Sequence, residues 1–316
     1  MTSDTGVYWN NLNYIGELFT ASPTKTPLLS AIGALSGGGK ISDSFEFPVS
    51  DEYSLTTAAQ TAIVENDLDT EPTSTDRGIT QRKNVCEIHY LGVLASYAAL
   101  ATMGRISGVA TAGEKMTIDD LVAHKIMQQM KQVATMVEFM MTQGTYAIST
   151  AGNVANASRG LIECASNASN TVDANGAALS VKLIKELVLT MFGNGAEFVD
   201  PVLIVNGFQA QMISELFGYA PADRFVGGVQ IKNIWIDIAG NVGVMIDAIQ
   251  PAATLTLADL GHCAPVFQQV PGKPLGIFYE ELARTSAAVK GMIYGHIGLD
   301  HGPYWMHGTI TDLATA

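Results

Sequence analysis

Every part of this chain can be placed around one run of 27 residues, TIDDLVAHKIMQQMKQVATMVEFMMTQ (Thr117 to Gln143). Apolar residues recur through it at helical spacing and form a stripe that drifts around the helix axis. The stripe consists of Ile118, Leu121, Val122, Met127, Met130, Val133, Ala134, Val137, Met140 and Met141. Thr117 and the acidic pair that follows suit a helix start, and Gly144 stands where a left-handed C-terminal cap is expected. Such a helix would be about 40 Å long and would span a domain.

The segments before this helix predict an arm and an extended hairpin. Residues 1–40 combine aromatic side chains with proline- and glycine-rich breaks, which indicates an arm lying against its own chain or a neighbour. Two alternating runs, Lys40 to Val49 and Lys83 to Leu91, predict the legs of a hairpin. The polar stretch between them, Ser54 to Arg82, is too long for an ordinary loop of a compact domain. We therefore expect it to be an interaction arm.

The residues after the helix predict a mixed α+β region. It contains neither repeats nor an alternating βαβ series, so a doubly wound parallel sheet is not expected. The predicted elements are turns over residues 149–178, a helix over Ser180 to Phe192, a buried strand over Val202 to Val205, a helix over Phe208 to Phe217, a hairpin of Val229 to Asp237 with Val242 to Ile246, a short strand over Leu255 to Leu257, and closing strands within residues 276–297.

Composition excludes several functional classes. The 316 residues include 30 acidic and 17 basic side chains, for a net charge of -13, and no basic run is interleaved with aromatics, which argues against a nucleic-acid-binding surface. Three scattered cysteines suit a reducing compartment such as a bacterial cytoplasm. No signal-peptide pattern or membrane-length apolar run occurs. Only 15% of residues are charged, against about 25% in typical proteins, so either other subunits cover much of the surface or the chain is a neutral enzyme.

Sequence motifs for catalysis and cofactor binding are missing. The glycines before Lys40 do not match a phosphate-binding loop, and no dinucleotide fingerprint or nucleophile elbow occurs. His296, His301 and His307 could form a metal cluster, but their spacing suits packed or hydrogen-bonded histidines better. The methionines are explained by helix packing. We therefore expect no catalytic residues, no cofactor and no metal.

The order of these segments resembles the HK97-fold major capsid proteins of tailed phages, and within them the SU10-type group. Arg77 to His89 resembles the group's extended-loop return strand, Asp200 to Asn206 its axial-domain strand, Val229 to Pro251 its hairpin, and Glu280 to Gly295 its closing strand. The resemblance covers most of the chain. The aromatic and histidine-rich tail, Gly298 to Gly308, departs from the pattern and is expected to contact a neighbouring subunit or an added protein.

The resemblance implies an α+β fold of the HK97 capsid type with defined parts. These are an N-terminal arm (1–40), an extended loop (41–98), the spine helix with part of the peripheral domain (99–178), an axial domain (179–275), and a peripheral closing strand with the C-terminal tail (276–316). It implies a non-enzymatic shell subunit that forms hexamers and pentamers around double-stranded DNA, contacted non-specifically at most. Portal and scaffolding or decoration proteins are the implied further partners. The resemblance also implies that the protein is assembled in the host bacterial cytoplasm, is located in the virion capsid and does not contact a membrane.

Candidate inter-subunit contacts lie in the arm, the extended loop and the tail. They are Trp9, Phe19, Glu65, Asp67, Asp69, Arg77, Arg82, Lys83, Tyr304 and Trp305. Two alternatives remain open. One is an encapsulin-like nanocompartment shell, which carries protein cargo instead of DNA, and the other is an α+β enzyme that uses the region from His296 to His307.

Overall fold

The chain folds around two β-sheets, a two-stranded hairpin and one long helix. The computed structural model describes residues 25–33, 39–53, 55, 63–69, 71, 77–102, 121–149, 154–217, 223–226 and 229–315. The helices are α1 (Pro27–Ile32), α2 (Tyr97–Thr102), α3 (Leu121–Gln143), α4 (Leu161–Asn167), α5 (Val181–Gly193) and α6 (Gly207–Phe217). The strands are β1 (Lys40–Ser42), β2 (Glu46–Glu52), β3 (Thr80–Val85), β4 (Glu87–Ser96), β5 (Thr171–Asp173), β6 (Pro201–Val205), β7 (Asp223–Val226), β8 (Val229–Ile236), β9 (Gly240–Ile246), β10 (Leu255–Asp259), β11 (Ala264–Gln268), β12 (Phe278–Glu281), β13 (Ala288–Asp300) and β14 (Gly308–Thr311).

A seven-stranded sheet has the order β5-β14-β10-β6-β9-β8-β7. All five residues of its central strand β6 are buried, which confirms the buried strand predicted at Val202 to Val205. Because side chains alternate across a sheet, Leu203 and Val205 pack with α5 and α6, whereas Val202 and Ile204 pack with α3. The sheet is therefore covered on both faces.

A second sheet is built around the 13-residue strand β13. β11 and β12 pair antiparallel with two different stretches of β13, β4 pairs antiparallel along its length, and β1 extends the sheet by pairing parallel with β11. The closing strands predicted within residues 276–297 are confirmed, and β13 continues to Asp300. After β13 the chain leaves this sheet, and β14 pairs within the seven-stranded sheet that contains β6. The domain limits drawn from the sequence stay a prediction.

Helix α3 lies between the two sheets. Val133, Val137, Met140 and Met141 are buried in one cluster with residues of β13 and of β6, so the C-terminal half of α3 joins both sheets. The predicted spine helix is confirmed over Leu121–Gln143, and its predicted cap at residues 117–120 lies outside the described residues. Met127 belongs to the predicted apolar stripe, but the prediction that it packs in the core is wrong, since its side chain is 60% exposed. The drifting stripe carries it away from the sheets.

The predicted hairpin is confirmed for β2 and β3, which pair antiparallel from Glu46 opposite Val85 to Glu52 opposite Thr80. The first leg was predicted to begin at Lys40, and this is wrong, because Lys40–Ser42 forms β1 and pairs with β11 instead. The second leg was predicted to run on to Leu91, and this is wrong. The strand breaks at Cys86, whose N–H donates to the carbonyl of Phe45 (2.7 Å). From Glu87 onward the chain pairs with β13 instead. The hairpin thus leaves the body of the protein at Cys86.

Several local predictions were correct and one cap was not. The Ser180 hydroxyl accepts from the Leu183 N–H at the start of α5, and β8 and β9 form the predicted hairpin. The turn-rich segment after α3 also contains α4 and β5, which the sequence did not predict. Gly144 is not left-handed. A Cβ there would lie 2.2 Å from the Ser158 carbonyl oxygen, so close backbone approach is what requires glycine.

Candidate functional site

The hairpin of β2 and β3 carries apolar side chains into solvent. Its two strands pair only with each other among the described strands, so this sheet has no further covering strand. Large apolar residues on and next to it are strongly exposed: Tyr53, Leu55, Ile63, Val64, Leu68 and Ile79. Leu68 and Ile79 are 73% and 72% exposed. A cluster of exposed apolar side chains on an extended element marks an interaction surface.

Charged residues of the hairpin form ion pairs across its strands. Arg82 Nε donates to Glu52 at 2.8 Å, and Lys83 Nζ donates to Glu46 at 3.1 Å. The hydrogen bond with Glu52 raises the pKa of Arg82. The candidate contacts Arg82 and Lys83 are therefore already paired within their own subunit, where each exposed pair contributes about 0–1 kcal/mol.

The remaining candidate contacts are distributed between the loop, the tail and the arm. Glu65, Asp69 and Arg77 are exposed. Glu65, Asp67 and Asp69 belong to the short 3-10 helix Glu65–Asp69. Tyr304 is buried, and Trp305 packs partly buried against the core of the seven-stranded sheet. Trp9 and Phe19 lie outside the described residues. Contact between subunits through these residues stays a prediction.

Asn84, at the base of the hairpin, joins three segments of the chain. Its Nδ2 donates to the carbonyls of Arg159 (3.2 Å) and Leu299 (2.7 Å). Its Oδ1 accepts from the N–H groups of Val85 (2.9 Å) and Arg159 (2.8 Å). The side chain is fully buried, so these four hydrogen bonds satisfy the whole amide.

Arg159 holds the hairpin from the other side. Its guanidinium lies 4.5 Å from the ring centre of Tyr146 and 5.2 Å from that of Tyr304, and it donates to the carbonyl of Lys83 (3.2 Å) and to the Tyr304 hydroxyl. The guanidinium of Arg82 lies 5.2 Å from the same Tyr304 ring. Burial raises the pKa of Tyr304, so its hydroxyl stays neutral and accepts from the cation. The base of the hairpin is thus fixed by cation–π contacts and buried hydrogen bonds.

Sequence reasoning missed Asn84 and Arg159 as functional residues. Arg159 stands among small and asparagine-rich residues with no pattern around it. Asn84 gave one usable signal, since it lies directly before the apolar residues Val85 and Cys86 in a predicted strand, and the structure buries it together with Val85 at the end of β3. A polar residue at such a position must find several partners.

The sheet built around β13 has one exposed apolar face. On β4, His89, Val93 and Ala95 are buried, whereas Ile88, Tyr90 and Leu94 are 46%, 57% and 55% exposed. Tyr90 stands opposite Tyr294 of β13, with ring centres 6.2 Å apart. Because Leu91 and Val93 pack toward α3, the exposed residues lie on the opposite face. This face is a second candidate interaction surface.

The histidines proposed for a metal or enzyme site do not form a reactive centre. Cys164 Sγ lies 3.3 Å from His301 Nδ1, but burial lowers the pKa of His301 to about 3 and raises that of Cys164, so both stay neutral. His307 is buried with its pKa lowered to about 4, and His296 binds the Tyr294 hydroxyl at 2.6 Å in the other sheet. Within the described residues, no three metal-ligating side chains come together.

Among the described helices, none combines the length and apolar character that crossing a bilayer requires.

Comparison with known proteins gives one family and one fold. The family model described as SU10 major capsid protein matches residues 1–314. The capsid of cyanophage A-1(L) is 12% identical, with 100% of both chains covered and a TM-score of 0.60. The capsid of a native GTA particle is 14% identical over 99% of this chain and 98% of that chain, with a TM-score of 0.53. The SrpI encapsulin of Synechococcus elongatus is 11% identical over 88% and 86%, with a TM-score of 0.54. No curated protein matches the chain.

Proposed function

Because this chain belongs to the SU10 major capsid protein family, we propose that it assembles as hexamers and pentamers into the icosahedral shell that encloses a phage's double-stranded DNA. The family and the HK97-like fold make it a structural subunit of the phage head and not an enzyme. Copies of it form a shell, and its place is the virion capsid. The number of subunits in each capsomer and the contents of the shell belong to the proposal.

The observation that carries the proposal is the pair of exposed apolar surfaces. The hairpin presents Leu68 and Ile79 to solvent, and β4 presents Tyr90 and Leu94 on the face away from α3. A single subunit leaves both surfaces in water, whereas the hairpin of one subunit lying on the β4 face of the next would bury both. Full burial of one such side chain contributes roughly 1.5–3 kcal/mol, and a closed shell repeats the contact around every capsomer.

Charge and cysteine chemistry support the remaining parts of the proposal. A net charge of -13 suits an inner surface that holds DNA without binding it tightly. Cys86, Cys164 and Cys263 are buried and unpaired, in keeping with assembly in the reducing cytoplasm of a bacterial host. Portal and scaffolding or decoration proteins are proposed partners of the finished shell.

Deletion of residues 57–75 tests the role of the hairpin. The shortened subunit should fold, because none of the side chains described in this stretch belongs to the buried core, and it should fail to form shells. The paired substitutions Leu68→Ser and Ile79→Ser should weaken assembly in the same direction. The matched control for the loss of exposed apolar area is Leu189→Ser, because the Leu189 side chain on α5 is 60% exposed. This variant should assemble normally. Normal shells from the deletion variant, seen by electron microscopy, would reject this role.

The encapsulin likeness gives a second candidate, a shell that encloses protein cargo. It rests on a fold similarity at 11% identity, whereas the family match favours the phage head. The nucleic acid content of purified native particles separates the two. Particles with genome-length double-stranded DNA support the phage head, and particles with protein cargo and no DNA support the nanocompartment.

A further inference from the structure

The short helix α1 is bound to the long helix α3 through one carboxylate. The first N–H groups of a helix have no carbonyl partner within it, and Thr26, the residue before α1, provides no side-chain cap. The N–H groups of Leu28 and Leu29 instead donate to Oε1 and Oε2 of Glu138, each at 2.7 Å. The two partners are 110 and 109 residues apart in the sequence.

Burying the carboxyl group of Glu138 at this position has an unfavourable free energy of desolvation. Its side chain is fully buried, and the apolar neighbours Val137 and Met141 are buried beside it. The ion pairs of the described residues do not include it, so its two hydrogen bonds to α1 are the compensation that the structure shows. Asp247, just after β9, is also fully buried and acts on it as a like charge. An apolar residue of similar volume would be less costly to bury here.

A costly buried polar group is explained when it specifies one arrangement among several. The apolar contacts of α1 with α3, β8, β9 and β11 are non-directional, so they specify the register of a six-residue helix less sharply than hydrogen bonds do. The paired hydrogen bonds to Glu138 specify one register, because each carboxyl oxygen meets its own N–H group in only one position of α1. Residues 1–24 precede α1 in the sequence, so the register of α1 fixes the described end of the subunit to which they are attached.

We propose that Glu138 is a positioning residue for shell assembly, because it fixes α1 on the spine helix and thereby the point of the subunit to which residues 1–24 are attached. This rests on the proposed function, which it deepens. The anchor itself is a property of the single subunit.

Amide hydrogen exchange of Glu138→Gln tests the anchor. Both oxygens of the Glu138 carboxyl group can accept a hydrogen bond whether or not the group is protonated. Glutamine has the same shape but keeps only one acceptor oxygen, and its amide NH2 group cannot accept from the second N–H. Exchange of the Leu28 and Leu29 amides should rise about tenfold or more while the rest of α3 stays protected. Thr142→Val is the matched control, because the buried Thr142 hydroxyl donates to the backbone carbonyls of Glu138 (3.0 Å) and Phe139 (3.2 Å), both within α3. It should leave exchange in α1 unchanged.

A second variant covers a folding failure of Glu138→Gln. Glu138→Met keeps the core filled and removes both acceptors, so it should release α1 in a folded subunit. The titration of the carboxyl adds a readout that packing alone does not move. Burial is the main cause of the raised pKa of Glu138, and opening of α1 would admit water to this group. In the wild-type chain the protection of these amides, corrected for intrinsic exchange, should therefore fall as pH rises from about 5 to about 8, and in both variants that dependence should disappear.

Assembly is then measured on the same variants by electron microscopy. Both Glu138 variants should give fewer or malformed shells, and Thr142→Val should give normal ones. Unchanged α1 exchange in the Glu138 variants would overturn the anchor. Released α1 with normal shells would overturn its role in assembly. If the wild-type chain forms no shell, the proposed function fails, while the exchange result still decides whether the anchor exists.

Discussion

Replacing Asn84 with alanine should be among the most damaging changes of one buried polar residue in this protein. The substitution removes a side chain that bonds to Arg159 at both its N–H and its carbonyl, and to the Leu299 carbonyl. Alanine offers none of these bonds. The site is fully buried, so water does not replace them without opening the base of the hairpin.

The magnitude follows from the groups left without a partner. Three long-range backbone groups lose their hydrogen bonds, and each buried unsatisfied group costs about 1–3 kcal/mol. Because relaxation is shared between neighbours, we expect a total loss of about 3–6 kcal/mol in the free energy of unfolding. A typical domain has only about 5–15 kcal/mol to lose.

Urea unfolding of the dilute subunit, followed by circular dichroism, measures this loss. Asn241→Ala, at an exposed position on β9, is the control and should change stability by about 0.5 kcal/mol or less. A loss below about 1 kcal/mol for Asn84→Ala would contradict this expectation. It would mean that the hairpin base is not held by this amide.

Three further predictions concern the core and its titration. Val133→Asp places an unpaired charge where the side chain is fully buried and should yield insoluble subunit, so soluble expression near the wild-type level would contradict it. Gly298→Ala places a Cβ 2.9 Å from the Val85 carbonyl oxygen and should cost about 1–3 kcal/mol in urea unfolding, whereas Gly92→Ala in the same sheet meets nothing within 4 Å and should cost far less. Burial raises the pKa of Glu138 from 4.5 to about 8, so the folded state holds this proton more tightly than the unfolded state. Relative to Glu138→Gln, the wild-type chain should therefore lose stability as pH rises from about 5 to about 8, by at most about 5 kcal/mol, and a pH-independent difference in urea midpoints would contradict this.

Elements with a strong local pattern were predictable from the sequence. The C-terminal half of α3 shows the spacing of a helix with one buried face, and the run Val202 to Val205 shows the continuous apolar character of a strand buried on both faces. The alternating runs placed the hairpin, although burial does not alternate along β2 or β3. Met127 shows the limit of this approach. Periodicity gives a face of the helix but not the point along it at which the neighbouring sheets end.

Contacts between distant segments were not predictable. Asn84 and Arg159 are 75 residues apart, and nothing local in either segment indicates the other. Gly144 directly follows the last residue of α3 and was therefore predicted to be a left-handed helix cap. The feature that requires glycine there is the approach of the Ser158 carbonyl, which depends on the tertiary fold. Glu138 did give a signal. It lies four residues after Ala134 and three before Met141, so helical spacing places a carboxylate on the apolar face.

Electron microscopy of the 316-residue chain over a range of concentrations, with sedimentation analysis, tests directly whether this protein is a shell subunit. We expect capsomers and closed icosahedral shells, in which the hairpin of each subunit lies on a neighbour. A folded, compact monomer at every concentration, with neither capsomers nor shells, would contradict it.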